Sequence, residues 1–241
     1  MKRVFLFTLV SFLLSLSATA FGQDGQSIKR LSLKSAVLGE ERIVLVRTPD
    51  DYERSGQQYP VLYLTDGDRQ MSHTISTVEF LARNGRIPEL IIVGIINTDR
   101  TRDLTPTNGT LKAPGGQPQR FPTAGGADKF LKFIETELIP SIEADYRTQP
   151  YRVFAGHSFG GLFALHTMMT RPEVFNAYIA VSPTFPWDDG LPQREAEAFC
   201  KDRKESNRTL FFTVGNEGEE MVGGFDRLKK LLAKQSPKRF A

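Results

Sequence analysis

"YRVFAGHSFGGLFALH", residues 151–166, decides how the chain is read. Tyr151–Gly156 is a short, largely apolar run with the length of a strand, and Phe159 onward reads as a helix. Between them, Gly156-His157-Ser158-Phe159-Gly160 has the form Gly-x-Ser-x-Gly. The pattern alone says little, because Gly and Ser are common. A strand before it and a helix after it make it the tight turn that presents a serine hydroxyl above a sheet edge. The glycines allow the sharp turn and close backbone approach. The helix start offers free N–H groups and partial positive charge, so the Phe159 N–H faces an oxyanion forming beside Ser158. Ser158 is the candidate nucleophile and Phe159 a candidate oxyanion donor.

Outward from this stretch, strands and helices alternate. Residues 28–39 and 41–49 read as two early strands with a turn at Gly39. "YPVLYLTDGD" (59–68) is an apolar run ending at Asp66-Gly67, "SHTISTVEFLARNG" (72–85) a helix closed by Gly85, and "ELIIVGIIN" (89–97) a strand buried on both faces. Residues 98–126, rich in Gly, Pro and Thr, form a long loop of the kind that is often functional. Residues 127–147 carry helical apolar spacing with Pro140 as a kink or break. Strand, helix, strand and helix follow over 176–235. The order implies one α/β domain with a mostly parallel central sheet and helices on both faces.

"MKRVFLFTLVSFLLSLSATA" has a basic start, an apolar stretch from Val4 to Leu16 and Ala18-Thr19-Ala20, the layout of a secretory signal peptide over 1–20, with 21–241 as the domain. The apolar stretch is short for a membrane anchor, so periplasmic or extracellular export without stable membrane insertion is expected. The formal charge of +3 does not mark a nucleic-acid binder: Lys2 and Arg3 fall in the leader, leaving 29 basic against 28 acidic residues. Cys200 is the sole cysteine, so no intrachain disulfide forms. No metal-ligand cluster or cofactor motif occurs, and neither a metal nor an organic cofactor is expected.

Two further catalytic candidates follow from placement. Asp68, just past Gly67, ends an earlier strand on the same sheet edge; its N–H is either the second oxyanion donor or part of an ordinary Asp-Gly turn. Glu217 and Glu219 in "FFTVGNEGEE" follow a strand in the chain order expected of a triad acid; the alternative is a solvated acidic loop.

With these pieces in place, the sequence resembles the esterase D-like branch of the α/β-hydrolases, which includes ferric-siderophore trilactone esterases, feruloyl esterases, S-formylglutathione hydrolase and the mycolyltransferases. The resemblance is carried by "VLYLTDGD", "NTDRTRDLTPT", "FLKFIETELIPSIEADYRTQPYRVFAGHSFGGLFALH", "PEVFNAYIAVSPTFPWDD" and "FFTVGNEGEE", in that order, over most of residues 40–220. It implies an α/β-hydrolase fold, Ser158 as nucleophile, oxyanion N–H groups from Phe159 and Asp68, and an acid in the "GNEGEE" loop, with Glu217 preferred over Glu219. Arg100, Arg102 and Asp103 ahead of Thr105-Pro106 resemble the siderophore-esterase branch. There the arginines would meet an anionic ligand by paired hydrogen bonds, or instead pair with Asp99 or Asp103. Trp187 would line the pocket or cap the sheet edge.

The departure from that family lies in the base. Its histidine falls beyond the last strand, whereas here 24 residues follow Glu217 and none is histidine. The expectation is that the last strand and helix are missing and that the chain is impaired. His157 leaves the turn in another direction, His166 lies about 12 Å along the helix at 1.5 Å per residue, and His73 is the one conceivable substitute. The expected function is a serine ester hydrolase on a small-molecule ester. The alternatives are a non-catalytic binding relative and an acyltransferase using the same nucleophile.

Overall fold

A computed structural model describes residues 28–111 and 117–241. The expected signal peptide lies outside the described residues. In chain order the elements are β1 (Lys29–Ser35), β2 (Glu40–Arg47), α1 (Tyr52–Ser55), β3 (Tyr59–Leu64), α2 (Gly67–Arg83), β4 (Ile91–Ile95), α3 (Arg100–Leu104), β5 (Thr110–Leu111), β6 (Gln119–Arg120) and α4 (Ala127–Phe133). They continue with α5 (Ile139–Asp145), β7 (Thr148–His157), α6 (Phe159–Thr170), β8 (Ala177–Val181), α7 (Leu191–Asp202), β9 (Thr209–Thr213) and α8 (Glu219–Gln235). The main sheet runs β1-β2-β4-β3-β7-β8-β9. The β1–β2 and β2–β4 pairs are antiparallel and the rest parallel, giving the expected mostly parallel α/β sheet.

Period-two alternation splits each central strand between two layers. Val61, Tyr63, Phe154, Tyr178 and Ala180 face a large core with α4, α6, α7 and α8. Leu62, Leu64 and Ile92 face α2 through Met71 and Val78. Helix α6 sits so deep that every residue from Phe159 to Met169 is buried. The opposite layer is thinner. Beside α2, the sheet face of β7 and β8 opens into an apolar groove of about 540 Å³ lined by Leu62, Val153, Ala155, Ile179 and Val181. Tyr151 and Phe211 remain 46% and 59% exposed.

Three local findings differ from what the sequence suggests. Helix α2 begins at Gly67 instead of Ser72, because Asp66 takes a left-handed conformation (φ 56°) that turns the chain straight into it. The 98–126 segment is not structureless: it holds α3 and the small β5–β6 hairpin. Before Pro140 there is no break but a π-helical turn, Ile134–Leu138, in which the Ile139 N–H donates to the Ile134 carbonyl five residues back. Proline supplies no N–H to the Thr136 carbonyl, and the wider turn accommodates that loss. At the other end, Lys238–Ala241 runs along 205–210. Ala241 N–H donates to Arg208 O at 3.1 Å, and Leu210 N–H donates to Ala241 O at 2.7 Å.

Candidate active site

Strand β7 ends at His157, and Ser158 takes φ 58°, ψ −116° before α6 begins. A non-glycine residue held at positive φ is costly and is found where the surroundings over-determine it. Here they do. The Ser158 N–H donates to Val181 O of β8 at 3.0 Å, and its carbonyl accepts from the Leu162 N–H at 2.9 Å. A Cβ on Gly156 would collide with the Gly160 carbonyl, and one on Gly160 with the Thr65 hydroxyl. Only glycine allows β7, the first turn of α6 and the end of β3 to meet so closely. Ser158 Oγ makes no hydrogen bond among the described residues, so it is the free group at the top of this turn.

The β3–α2 turn brings Asp68 to the same end of the parallel strands. The Thr65 N–H donates to Ala155 O at 3.4 Å, joining that turn to β7. Asp68 and Phe159 lie in the first turns of α2 and α6, where backbone N–H groups have no acceptor within the helix.

Around them, the side chains expected from the sequence to serve the site take different roles. Arg100 reaches the turn: its Nε and Nη2 donate to Asp66 at 2.7 and 3.1 Å, its Nη2 also to His157 O at 3.2 Å, and its guanidinium lies 5.4 Å from the Phe159 ring centroid. Arg102 is turned away from it. Its guanidinium donates to Glu40 (2.6 and 3.1 Å) and Asp103 (2.9 Å). Its hydrogen bond to Glu40 raises its own pKa and lowers that of Glu40. Arg102 therefore ties α3 to β2, and its bond to Asp103 is one of the two alternatives the sequence left open for it. Trp187 also has structural partners. It is fully buried, its Nε1–H donates to Thr107 Oγ1 at 3.1 Å, and its ring packs 5.4 Å from Phe159 and 5.5 Å from Phe121. It backs the residue after Ser158 and presents no surface to a ligand.

Of the two acids, Glu217 is the one joined to the sheet edge. Its Oε1 accepts from the hydroxyl of Ser182, the residue after Val181, and from the Gly215 N–H at 3.1 Å. Glu219 opens α8 and lines a separate groove of about 360 Å³ with Pro186 and Arg227.

None of the three histidines is bonded to Ser158. His166 is 5% exposed, with Nδ1 2.7 Å from Glu195 Oε1 and Nε2 2.9 Å from Asp128 Oδ1. Burial alone would lower its pKa, but the two carboxylates outweigh burial and hold it at about 9. Both ring nitrogens are committed. His73 and His157 line a groove of about 320 Å³ with Gln70, Ala155 and Gly156, on the α2 side of the sheet. The network residues Asp66, Asn97 and Ser182 escaped sequence reasoning. The one local signal was Asp66-Gly67 at a strand end.

The "Putative esterase" family matches residues 35–233. The chain belongs to this esterase family. Among curated family relatives, the ferri-bacillibactin esterase of Bacillus subtilis is 34% identical over 165 residues, 63% of this chain and 57% of that protein. The siderophore triacetylfusarinine C esterase of Aspergillus fumigatus is 31% identical over 182 residues, 70% of this chain and 60% of that protein. The chain thus spans under two thirds of the length of either. An IroE-like serine hydrolase from Shewanella oneidensis superposes with a TM-score of 0.80 at 35% identity, covering 89% of this chain and 72% of that one. The sheet described above is that of α/β-hydrolase-like esterases. No helix among the described residues is long and apolar enough to cross a membrane.

Proposed function

We propose that the protein is a serine ester hydrolase in which Ser158 Oγ attacks an ester carbonyl, releases the alcohol and forms an acyl-enzyme that water then hydrolyses. The observation that carries this is Ser158 at φ 58° between β7 and the start of α6, with an Oγ that makes no hydrogen bond among the described residues. The Phe159 and Asp68 N–H groups stabilise the oxyanion, and Glu217 is the acid of the site. Relatives named for siderophore esters support a siderophore-type ester as substrate. The leader over residues 1–20 supports export to the periplasm or outside the cell.

The described residues bring no histidine into hydrogen-bond contact with Ser158 Oγ. A base must come within about 3 Å of the hydroxyl it deprotonates, and none of the three histidines is placed to do so. That observation also favours a second reading, a binding protein that keeps the ester pocket without turnover. Fluorophosphonate labelling and p-nitrophenyl butyrate cleavage, each compared with Ser158→Ala, separate the two. Labelling at Ser158 with weak but Ser158-dependent turnover is expected. Neither label nor Ser158-dependent product would overturn the hydrolase reading.

A further inference from the structure

The two candidate oxyanion donors sit on separate pieces of chain, the β3–α2 turn at Asp66–Asp68 and the β7–α6 elbow at His157–Phe159. Stabilising one oxygen requires both N–H groups within about 3 Å of a single point, so the gap between the pieces must be fixed. The backbone link between them is the long Thr65–Ala155 hydrogen bond of 3.4 Å. The stronger link is a side-chain pair. Asp66, 3% exposed, accepts from Arg100 Nε at 2.7 Å and Nη2 at 3.1 Å, and from Asn97 Nδ2 at 2.6 Å. The same Nη2 donates to His157 O at 3.2 Å, while the guanidinium lies over the Phe159 ring. One rigid planar group therefore holds the residue that starts the first turn and the residues on either side of Ser158.

We propose that Asp66 and Arg100 form a clamp that sets the spacing of the Asp68 and Phe159 N–H groups. Arg100 is then a positioning residue and not an anion-binding one. A two-point guanidinium–carboxylate pair resists rotation in a way a single ammonium contact does not. Asn97 holds the carboxylate from a third side, and Phe159 gives the guanidinium a flat surface to rest on. Because α2 starts at the Asp66 turn and α6 at the elbow, a shift of either piece would move one helix N-terminus relative to the other. The catalytic consequence rests on the Ser158 esterase reading; the geometric one does not.

The test uses the full chain with Arg100→Gln, Asp66→Asn and Arg100→Lys. Hydrogen–deuterium exchange is read first, because it needs no activity. The clamp predicts faster exchange in both 64–70 and 155–161 for Arg100→Gln and for Asp66→Asn, with α8 unchanged, and an intermediate response for Arg100→Lys. Faster exchange in only one segment, or in neither, would overturn the clamp. Kinetics follow on p-nitrophenyl butyrate with imidazole in the buffer as proton acceptor and Ser158→Ala as blank. Arg100→Gln is expected to lower kcat about 100-fold, as a misplacement of about 1 Å does. KM should hold within about threefold, since uniform binding is intact. The double variant should cost no more than either single one, because the two residues act as a unit. A raised KM with kcat unchanged would assign Arg100 to substrate instead. Wild-type protein without Ser158-dependent turnover would refute the esterase reading alone, and the exchange data would still decide the clamp.

Discussion

His166 couples the stability of this protein to pH in a direction opposite to that of ion-paired carboxylates, whose pKa folding lowers. It projects from α6 between Glu195 of α7 and Asp128 of α4, which hold its pKa at about 9 against an ordinary 6.5. A pKa raised by folding means that the folded state binds the proton more tightly, so the contribution is complete below pH 6.5. It is lost as pH rises through 9. At about 1.4 kcal/mol per pKa unit, the difference amounts to about 3 kcal/mol, a sizeable part of the roughly 5–15 kcal/mol expected for a domain. Burial pushes the Cys200 thiol pKa up as well. Urea unfolding at pH 6, 7, 8 and 9 should show stability falling by about 1 kcal/mol per pH unit above neutrality, and His166→Gln should flatten that slope. An NMR titration of the His166 ring gives the folded pKa directly. An imidazole titrating near 6.5 in the folded protein, or equal stability at pH 6 and 9, would refute the reasoning.

Two further substitutions test the packing that shapes the site. Gly160→Ala drives a methyl group into the Thr65 hydroxyl and should cost about 1–3 kcal/mol in urea unfolding. Adding Thr65→Ala should restore more than half, since that hydroxyl has no hydrogen-bond partner among the described residues. Arg42 is fully buried over the rings of Phe130 and Phe133, with Nη1 2.7 Å from Asp103. Arg42→Met should cost about 3–5 kcal/mol by leaving that carboxylate short of a partner, and Asp103→Leu in the same chain should recover part of the loss in unfolding midpoint.

The parts of the fold visible in the sequence are those set by local chemistry. Short apolar runs marked β3, β4, β7 and β8, and the glycines around Ser158 marked the elbow, because each signal lies within a few residues of its effect. What escaped depends on distant partners. Arg102 reads as a ligand contact or a partner of Asp99 or Asp103, yet it also pairs with Glu40, 62 residues away across β2. Trp187 sits among prolines and aspartates, where the sequence leaves open whether it lines the pocket or caps the sheet edge. The β5–β6 hairpin covers it through the Leu111–Trp187 bridge, joining segments more than 70 residues apart. Asp66 reads as half of an Asp-Gly turn, and its three donors come from Asn97 and Arg100, on the far side of β4. Ser182, which meets Glu217, lies beyond a strand with no local signal for that contact.

Strand and helix geometry fix the places of the two histidines nearest Ser158 in sequence. Along β7, Phe154 and Gly156 face α6 while Val153 and Ala155 face α2. Period two therefore sends His157 to the α2 side, where it lines a groove with His73, and the chain reverses at Ser158. His166 is enclosed in α6 and held by two carboxylates. Sequence proximity thus places two histidines beside the nucleophile and regular structure directs both away from it. It follows that Ser158-dependent cleavage of p-nitrophenyl butyrate should rise with added imidazole, after subtraction of the Ser158→Ala blank. His73→Ala, His157→Gln and His166→Gln should leave the imidazole-independent rate nearly unchanged. A more than about tenfold fall in that rate for any one of them, the lower limit for losing a general base being about 100-fold, would show that its ring does reach Ser158 in solution.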